Sequence, residues 1–228
     1  MTATIDILQC EFAQATFDRA REQAELAARF AAMPGSGADG SSRDLERHCV
    51  ASAVALTADA VHDWATWALL ATRVPFQILD ANGRHRSLPR WRRVPLIAAA
   101  QGRPHGVTLS DAHATFLDDL DDWHRTLSYA DPHARDRVCR KLIRQGLIDG
   151  RQNETAVVRA GLAARLLTGA GELFDWAHQV TGLPAPNWPT AAPGTPAHQG
   201  SSEQADQASG SWPAAASTIT RLRLSRGG

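Results

Sequence analysis

The sequence predicts an all-α fold: a helical bundle of five to six helices over residues 1–182, followed by a disordered tail over 183–228. Three observations carry this expectation. Apolar side chains recur at helical spacing through several long, alanine-rich stretches. Capping residues and prolines punctuate those stretches where helices would start and stop. Beyond Gly182 the composition changes abruptly. Six of the twelve prolines fall there among Ser, Gly, Ala and Gln, a mixture that cannot bury a core.

The first helix is expected over 4–32, with an apolar face of Ile5, Leu8, Phe12, Leu26 and Phe30. Pro34–Ser41 is a loop by composition. Ser41 and Asp44 form an N-cap pair for a second long helix over 43–73, which ends before Pro75. Its core stripe is Val50, Val54, Ala58, Val61 and Trp64. Phe76–Leu79 reads as a short strand, paired through the Asp80–Gly83 turn with His85–Leu88. Val94–Pro95–Leu96 reads as an apolar turn. Ser110 caps a third main helix over 111–128, and Asp131–Pro132 opens a fourth that runs to Gln145 and stops at Gly146. Asn153 is expected to cap a last helix reaching Thr181, weakened at Gly169 and Gly171.

Composition narrows the function classes. No run approaches the ~18 apolar residues of a membrane span. The start of the chain lacks a basic segment before its apolar residues, which argues against a secretory signal. Cys10, Cys49 and Cys139 are odd in number and far apart, so they read as free thiols in a reducing cytoplasm. Formal net charge is zero, and no global field draws the chain to nucleic acid or membrane. Among the 24 basic residues only Lys141 is lysine, a skew that reflects base composition more than a need for guanidinium chemistry. No Gly-rich phosphate loop, Gly-x-Ser-x-Gly element or His-Glu-x-x-His motif is present.

The most informative stretch is Trp91–Ala134. A Trp-x-x-Val-Pro-Leu element leads through a variable loop to an amphipathic helix ending His124–Arg125–Thr126–Leu127–Ser128–Tyr129. This layout, over residues 44–180, resembles the HEPN family of all-helical domains, many of them metal-independent ribonucleases with an Arg-polar-x-x-x-His element at this place. Aligned without a gap, His124 stands at the Arg position, Arg125 at the polar position, Leu127 at the apolar position and Tyr129 at the His position. The motif is degenerate.

Cleavage at a 2′-hydroxyl needs a proton carrier and a cation for the developing phosphorane charge. A phenol, with a reference pKa near ~10, is a poor base at neutral pH, and a neutral imidazole cannot replace a permanent guanidinium. The resemblance therefore implies a non-catalytic or weakly catalytic homodimer, nucleic-acid-binding or regulatory, of the kind found in bacterial defence and toxin–antitoxin systems. No cofactor is expected.

A second reading is a metal-independent ribonuclease in shifted register, with Arg125 as cation and His124 or His133 as base. A third uses the Asp-x-x-His pairs Asp59/His62, Asp121/His124 and Asp175/His178, whose i, i+3 spacing places a carboxylate and an imidazole on one helix face for a metal ion. Arg90, Trp91, Arg92, Arg93, Arg137, Arg140 and Lys141 are the candidate nucleic-acid contacts, with guanidiniums on phosphates and the indole on a base. Asp118, Asp119, Asp121 and Asp122, opposite Phe116, Leu117, Leu120 and Trp123, read as a solvated face that could pair with the basic fourth helix. Trp188 and Trp212 in the tail are candidate anchors for a protein partner.

Overall fold

A computed structural model of the chain describes residues 2–33, 40–77, 86–102, 107–149 and 151–186, with 2–10 described through their backbone. The tail beyond 186, with Trp188 and Trp212, and the Cys10 side chain lie outside the described residues. The described part is all-helical. Its α-helices are α1 (Thr2–Ala32), α2 (Gly40–Ala71), α3 (Ser87–Trp91), α4 (Val94–Ala100), α5 (Asp111–Ser128), α6 (Pro132–Arg144) and α7 (Ala160–Thr181), with a 3₁₀ turn at Glu154–Ala156. None of these helices is long and apolar enough to cross a membrane.

Helices α1 and α2 form an antiparallel hairpin, α7 packs against both, α5 lies on α2, and α6 covers α5. The face α1 buries is Ala13, Thr16, Phe17, Ala20 and Ala27, while Phe12 is 61% exposed and Leu26 37%. Of the expected stripe, Phe12 and Leu26 thus face outward, Phe30 packs partly buried against the core, and the Ile5 and Leu8 side chains lie outside the described residues. Small side chains let α1 lie close to α2, so alanine marks the interface, and Phe17 reaches Phe174 of α7. On α2 the expected stripe is right: Val50, Val54, Ala58, Val61 and Trp64 are all buried.

An aromatic knot joins the layers. Trp64 of α2 stacks on Trp91 of α3 with centroids 5.1 Å apart. Phe174 of α7 meets both, at 6.2 and 6.1 Å, and meets Phe17 edge-on at 5.2 Å. Both indole N–H groups are satisfied: Trp64 donates to the Pro184 carbonyl at 2.8 Å and Trp91 to the Val61 carbonyl at 3.1 Å. The first residues past α7 therefore pack on the bundle, with Leu183 and Ala185 against the core.

Several local expectations change. Helix α2 starts at Gly40, so Ser41 and Asp44 lie inside its first turns, where Asp44 pairs with Arg47 at 3.5 Å. Phe76 and Gln77 are not a strand, and Ser87–Leu88, the proposed return arm, belong to α3. Ile78–His85 lie outside the described residues. The Val94–Leu96 turn is the first turn of α4, with Pro95 near its start, where its missing N–H costs nothing.

Ser110 and Asp131 cap α5 and α6 as read from the sequence, accepting from His113 N–H and from His133 and Ala134 N–H. Gly146 stops the chain after α6 with φ +70°. Asn153 caps only the 3₁₀ turn, whereas α7 begins at Ala160 and runs unbroken through Gly169 and Gly171. A Cβ at Gly169 would lie 2.6 Å from the Phe116 ring. That glycine therefore serves the close approach of α5 and α7, not a break.

The start of α7 is capped from another helix. Glu46 of α2, 4% exposed, accepts from Ala160 N–H at 3.0 Å and from Arg159 Nη1 at 3.0 Å. Glu46→Ala leaves that N–H and guanidinium without their carboxylate. We expect a loss of about 1–3 kcal/mol in chemical denaturation. Asp44→Ala, at an exposed position on the same helix, should stay within about 0.5 kcal/mol of the parent. Equal stabilities for the two variants would refute the capping role of Glu46.

Candidate functional site

The four residues expected to carry hydrolytic chemistry gather at the elbow between α5 and α6. The chain turns there at Ala130, which takes a left-handed φ of +48°, while Tyr129 and Asp131 N–H both return to the Arg125 carbonyl at 3.1 and 3.2 Å. Tyr129 projects outward, 70% exposed, and its ring lies 5.3 Å from that of His124. Burial pushes the His124 imidazole below its ordinary pKa, against an opposing pull from Asp59. Arg125 Nη1 lies 3.6 Å from Asp131 Oδ2, the same carboxylate whose other oxygen caps α6 through His133 N–H. The elbow thus brings the Arg125 guanidinium to Asp131 and the His124 ring to Tyr129, while His133 meets Asp131 through its main-chain N–H. Its cation is held by that aspartate, and burial disfavours the charged form of the imidazole nearest the tyrosine.

A second cluster lies inward, between α2, α3 and α5. Arg90, expected as a phosphate contact, is 1% exposed. Its Nη1 donates to the His62 ring at Nδ1 (2.7 Å) and to Thr66 Oγ1 (3.1 Å), and its guanidinium sits 5.7 Å from the centre of the Phe76 ring. Asp63 and Asp121 face it electrostatically and offset part of the desolvation that lowers its pKa. Trp91, expected to stack a base, is fully buried in the aromatic knot. Both are therefore corrected: the basic run 86–93 folds into a short helix whose last two residues point into the core. Arg92 and Arg93 stay exposed, and Arg93 Nη1 donates to the Pro75 carbonyl at 2.7 Å.

Asp121 holds α3 in place. Its two oxygens accept from Ser87 N–H and Ser87 Oγ, both at 3.0 Å, at the start of a helix whose own N-cap, Arg86, supplies no side-chain bond. Burial pushes this carboxyl from an ordinary 3.8 up to about 6, despite those hydrogen bonds. Asp121 is consequently not part of a solvated face. Its neighbours keep nearer the expected role, with Asp122 bidentate to Arg137 (2.6–3.0 Å) and Asp119 paired with Lys141. Arg135 Nε reaches Glu154 at 2.9 Å. On α6, Arg140 and Arg144 are exposed, and their Nε groups donate to main-chain carbonyls one turn back.

The Asp-x-x-His pairs do not converge. His62 is taken by Arg90, Asp121 by Ser87, and His178 Nδ1 lies 2.8 Å from the Leu183 carbonyl. Among the described residues no three His, Cys, Asp or Glu side chains come together as a metal-binding group. Cys49 and Cys139 are free thiols. No protein-family model, curated protein or solved structure matches the chain.

The Asp121 carboxyl gives a pH signature. The folded chain keeps its proton up to about pH 6, while an unperturbed carboxyl releases it near 3.8. Its stabilising contribution is therefore full below the lower value and is lost as pH rises through the upper one. Compared with Asp121→Asn across this window, the parent should gain roughly 3 kcal/mol on acidification. Parallel stability curves for the two proteins would exclude this assignment.

Proposed function

We propose that the chain is a HEPN-like, non-catalytic domain that binds RNA through the outer face of α6. The observation that carries the reading is the division of cations along that helix. Arg135, Arg137 and Lys141 pair with Glu154, Asp122 and Asp119, whereas Arg140 and Arg144 face outward with bonds only to carbonyls of their own helix. His133 falls on the same stripe, seven and eleven residues before them. Permanent charges in a row on an exposed helix suit a phosphate backbone, and they carry no base selectivity.

The elbow supports the non-catalytic half of the reading. His124 lacks a permanent charge, a phenol stands where an imidazole is needed, and Arg125 is paired with Asp131. The exposed ring of Tyr129 is surface that a second copy would cover in the homodimer implied by the resemblance. One observation favours a metal-independent ribonuclease as a second reading: the Arg125 guanidinium lies at the elbow, 3.6 Å from the Asp131 carboxylate that caps the helix carrying His133.

Two assays separate the readings. Fluorescence anisotropy with a labelled single-stranded RNA should give salt-dependent binding. The double variant Arg140→Glu/Arg144→Glu should weaken it about tenfold or more and lower the salt slope by about 2. A slope that the double variant leaves unchanged would sink the α6 assignment. In EDTA the parent should leave total RNA intact, and cleavage that disappears in Arg125→Ala would establish the enzyme instead.

A further inference from the structure

We propose that the outer face of α1 is a self-association surface, on which a second copy of this chain seats its own α1 antiparallel. The inference does not rest on the HEPN-like or RNA-binding reading, because α1 precedes residues 44–180 and takes no part in either.

Helix α1 packs on α2 and α7 through the row Ala13, Thr16, Phe17, Ala20 and Ala27. A second row runs along the same helix: Phe12, Ala15, Arg19, Glu22, Leu26 and Arg29, every one of them exposed. At about 100° per residue the centres of the two rows lie about 130° apart, so the second row faces away from the bundle. Positions 12, 19 and 26 recur every seventh residue, and so do 15, 22 and 29, which is the spacing of a seam between two helices. The row leaves two large apolar side chains, Phe12 and Leu26, in water. Among the described residues no ion pair or side-chain hydrogen bond engages Arg19, Glu22 or Arg29, whereas the adjacent Asp18 and Arg21 pair with each other at 3.2 Å. The row therefore offers charges of both signs that its own helix does not answer.

Those charges select how a second copy can seat. In a parallel pair each residue meets its own copy, so Arg19 faces Arg19, Glu22 faces Glu22 and Arg29 faces Arg29. Three like-charge contacts oppose that arrangement. In an antiparallel pair, a two-fold axis midway between Ala20 and Arg21 sets Arg19 opposite Glu22 of the partner subunit, twice over by symmetry. The same axis sets Leu26 on Ala15 of the partner subunit, a large side chain against a small one. It also sets Phe12 opposite Arg29 of the partner subunit, pairing an aromatic ring with a guanidinium. Sliding one helix by a heptad in either direction faces Glu22 with an apolar residue, Phe12 or Leu26. One register satisfies the row, and its contacts span about 26 Å of helix.

The test is the mass of the full chain by sedimentation velocity across a micromolar dilution series. We expect a dimer that dissociates on dilution. Arg19→Glu and Glu22→Arg, both at exposed positions, should keep the parent's helical circular dichroism. Each should weaken the dimer about tenfold or more, because two attractive contacts become repulsive. The charge-swapped double variant Arg19→Glu/Glu22→Arg should recover the parent's dimer, and an equimolar mixture of the two single variants should form a heterodimer. Tyr129→Arg should leave the association unchanged. A monomeric parent, undiminished dimers in both single variants, or failure of both the double variant and the mixture to associate would each overturn the proposal. Dimers lost in Tyr129→Arg alone would also overturn it, and would place the second copy at the elbow instead.

Discussion

Trp91 is the side chain on which the arrangement of the polar groups depends. A helix of five residues has no stability of its own, because nucleation costs more than one turn of hydrogen bonds returns. Helix α3 exists because its last residue is clamped between Trp64 and Phe174, while Asp121 caps its first. Full burial of an indole contributes on the order of 3 kcal/mol or more, comparable to the ordering entropy of a few residues. With α3 fixed at both ends, Ser87 meets α5 and Arg90 meets α2.

The same logic recurs in the carboxylates that serve an element other than their own. Glu46 of α2 caps α7, Asp121 of α5 caps α3, and Glu154 takes Arg135 of α6. Burying a charged group carries a desolvation penalty of several kcal/mol, and each of these carboxylates recovers part of it through two or more donors. The net stabilisation is modest, but the penalty for misplacement is large. A slipped α7 would leave Glu46 buried without Ala160 and Arg159. These contacts therefore fix the register of one helix on another, a task that alanine-rich interfaces perform poorly because they interdigitate little.

The local physics of the chain made much of the fold legible. The periodicity of α2 and α5, the Ser110 and Asp131 caps and the Gly146 stop all depend on residues within a few positions of each other. What escaped depends on residues far apart in sequence. Ser87 lies 34 positions from the carboxylate that makes it a helix start. Arg90 and Trp91 sit in a run of arginines that reads as surface, and only tertiary contact turns those two inward. Gly169 reads as a weak point until Phe116 is seen against it. The site was half legible for the same reason. The elbow residues were found because they are neighbours in sequence, whereas the meeting of Arg90 with His62 and Thr66 required α3 to be in place.

The zero net charge of the chain takes on a different meaning in this light. It argues against a global field, yet it does not describe the surface. Asp119, Asp122 and Glu154 are drawn against the inner side of α6 by Lys141, Arg137 and Arg135, so those charges cancel where the helix meets the bundle. Such pairs contribute only ~0–1 kcal/mol each, and their larger effect is on where charge is left over. Residues 140 and 144 lie one turn apart, exposed, with their Nε groups bonded to carbonyls one turn back on their own helix. A neutral chain therefore still leaves Arg140 and Arg144 exposed, because Asp119, Asp122 and Glu154 are committed to other cations of the same helix.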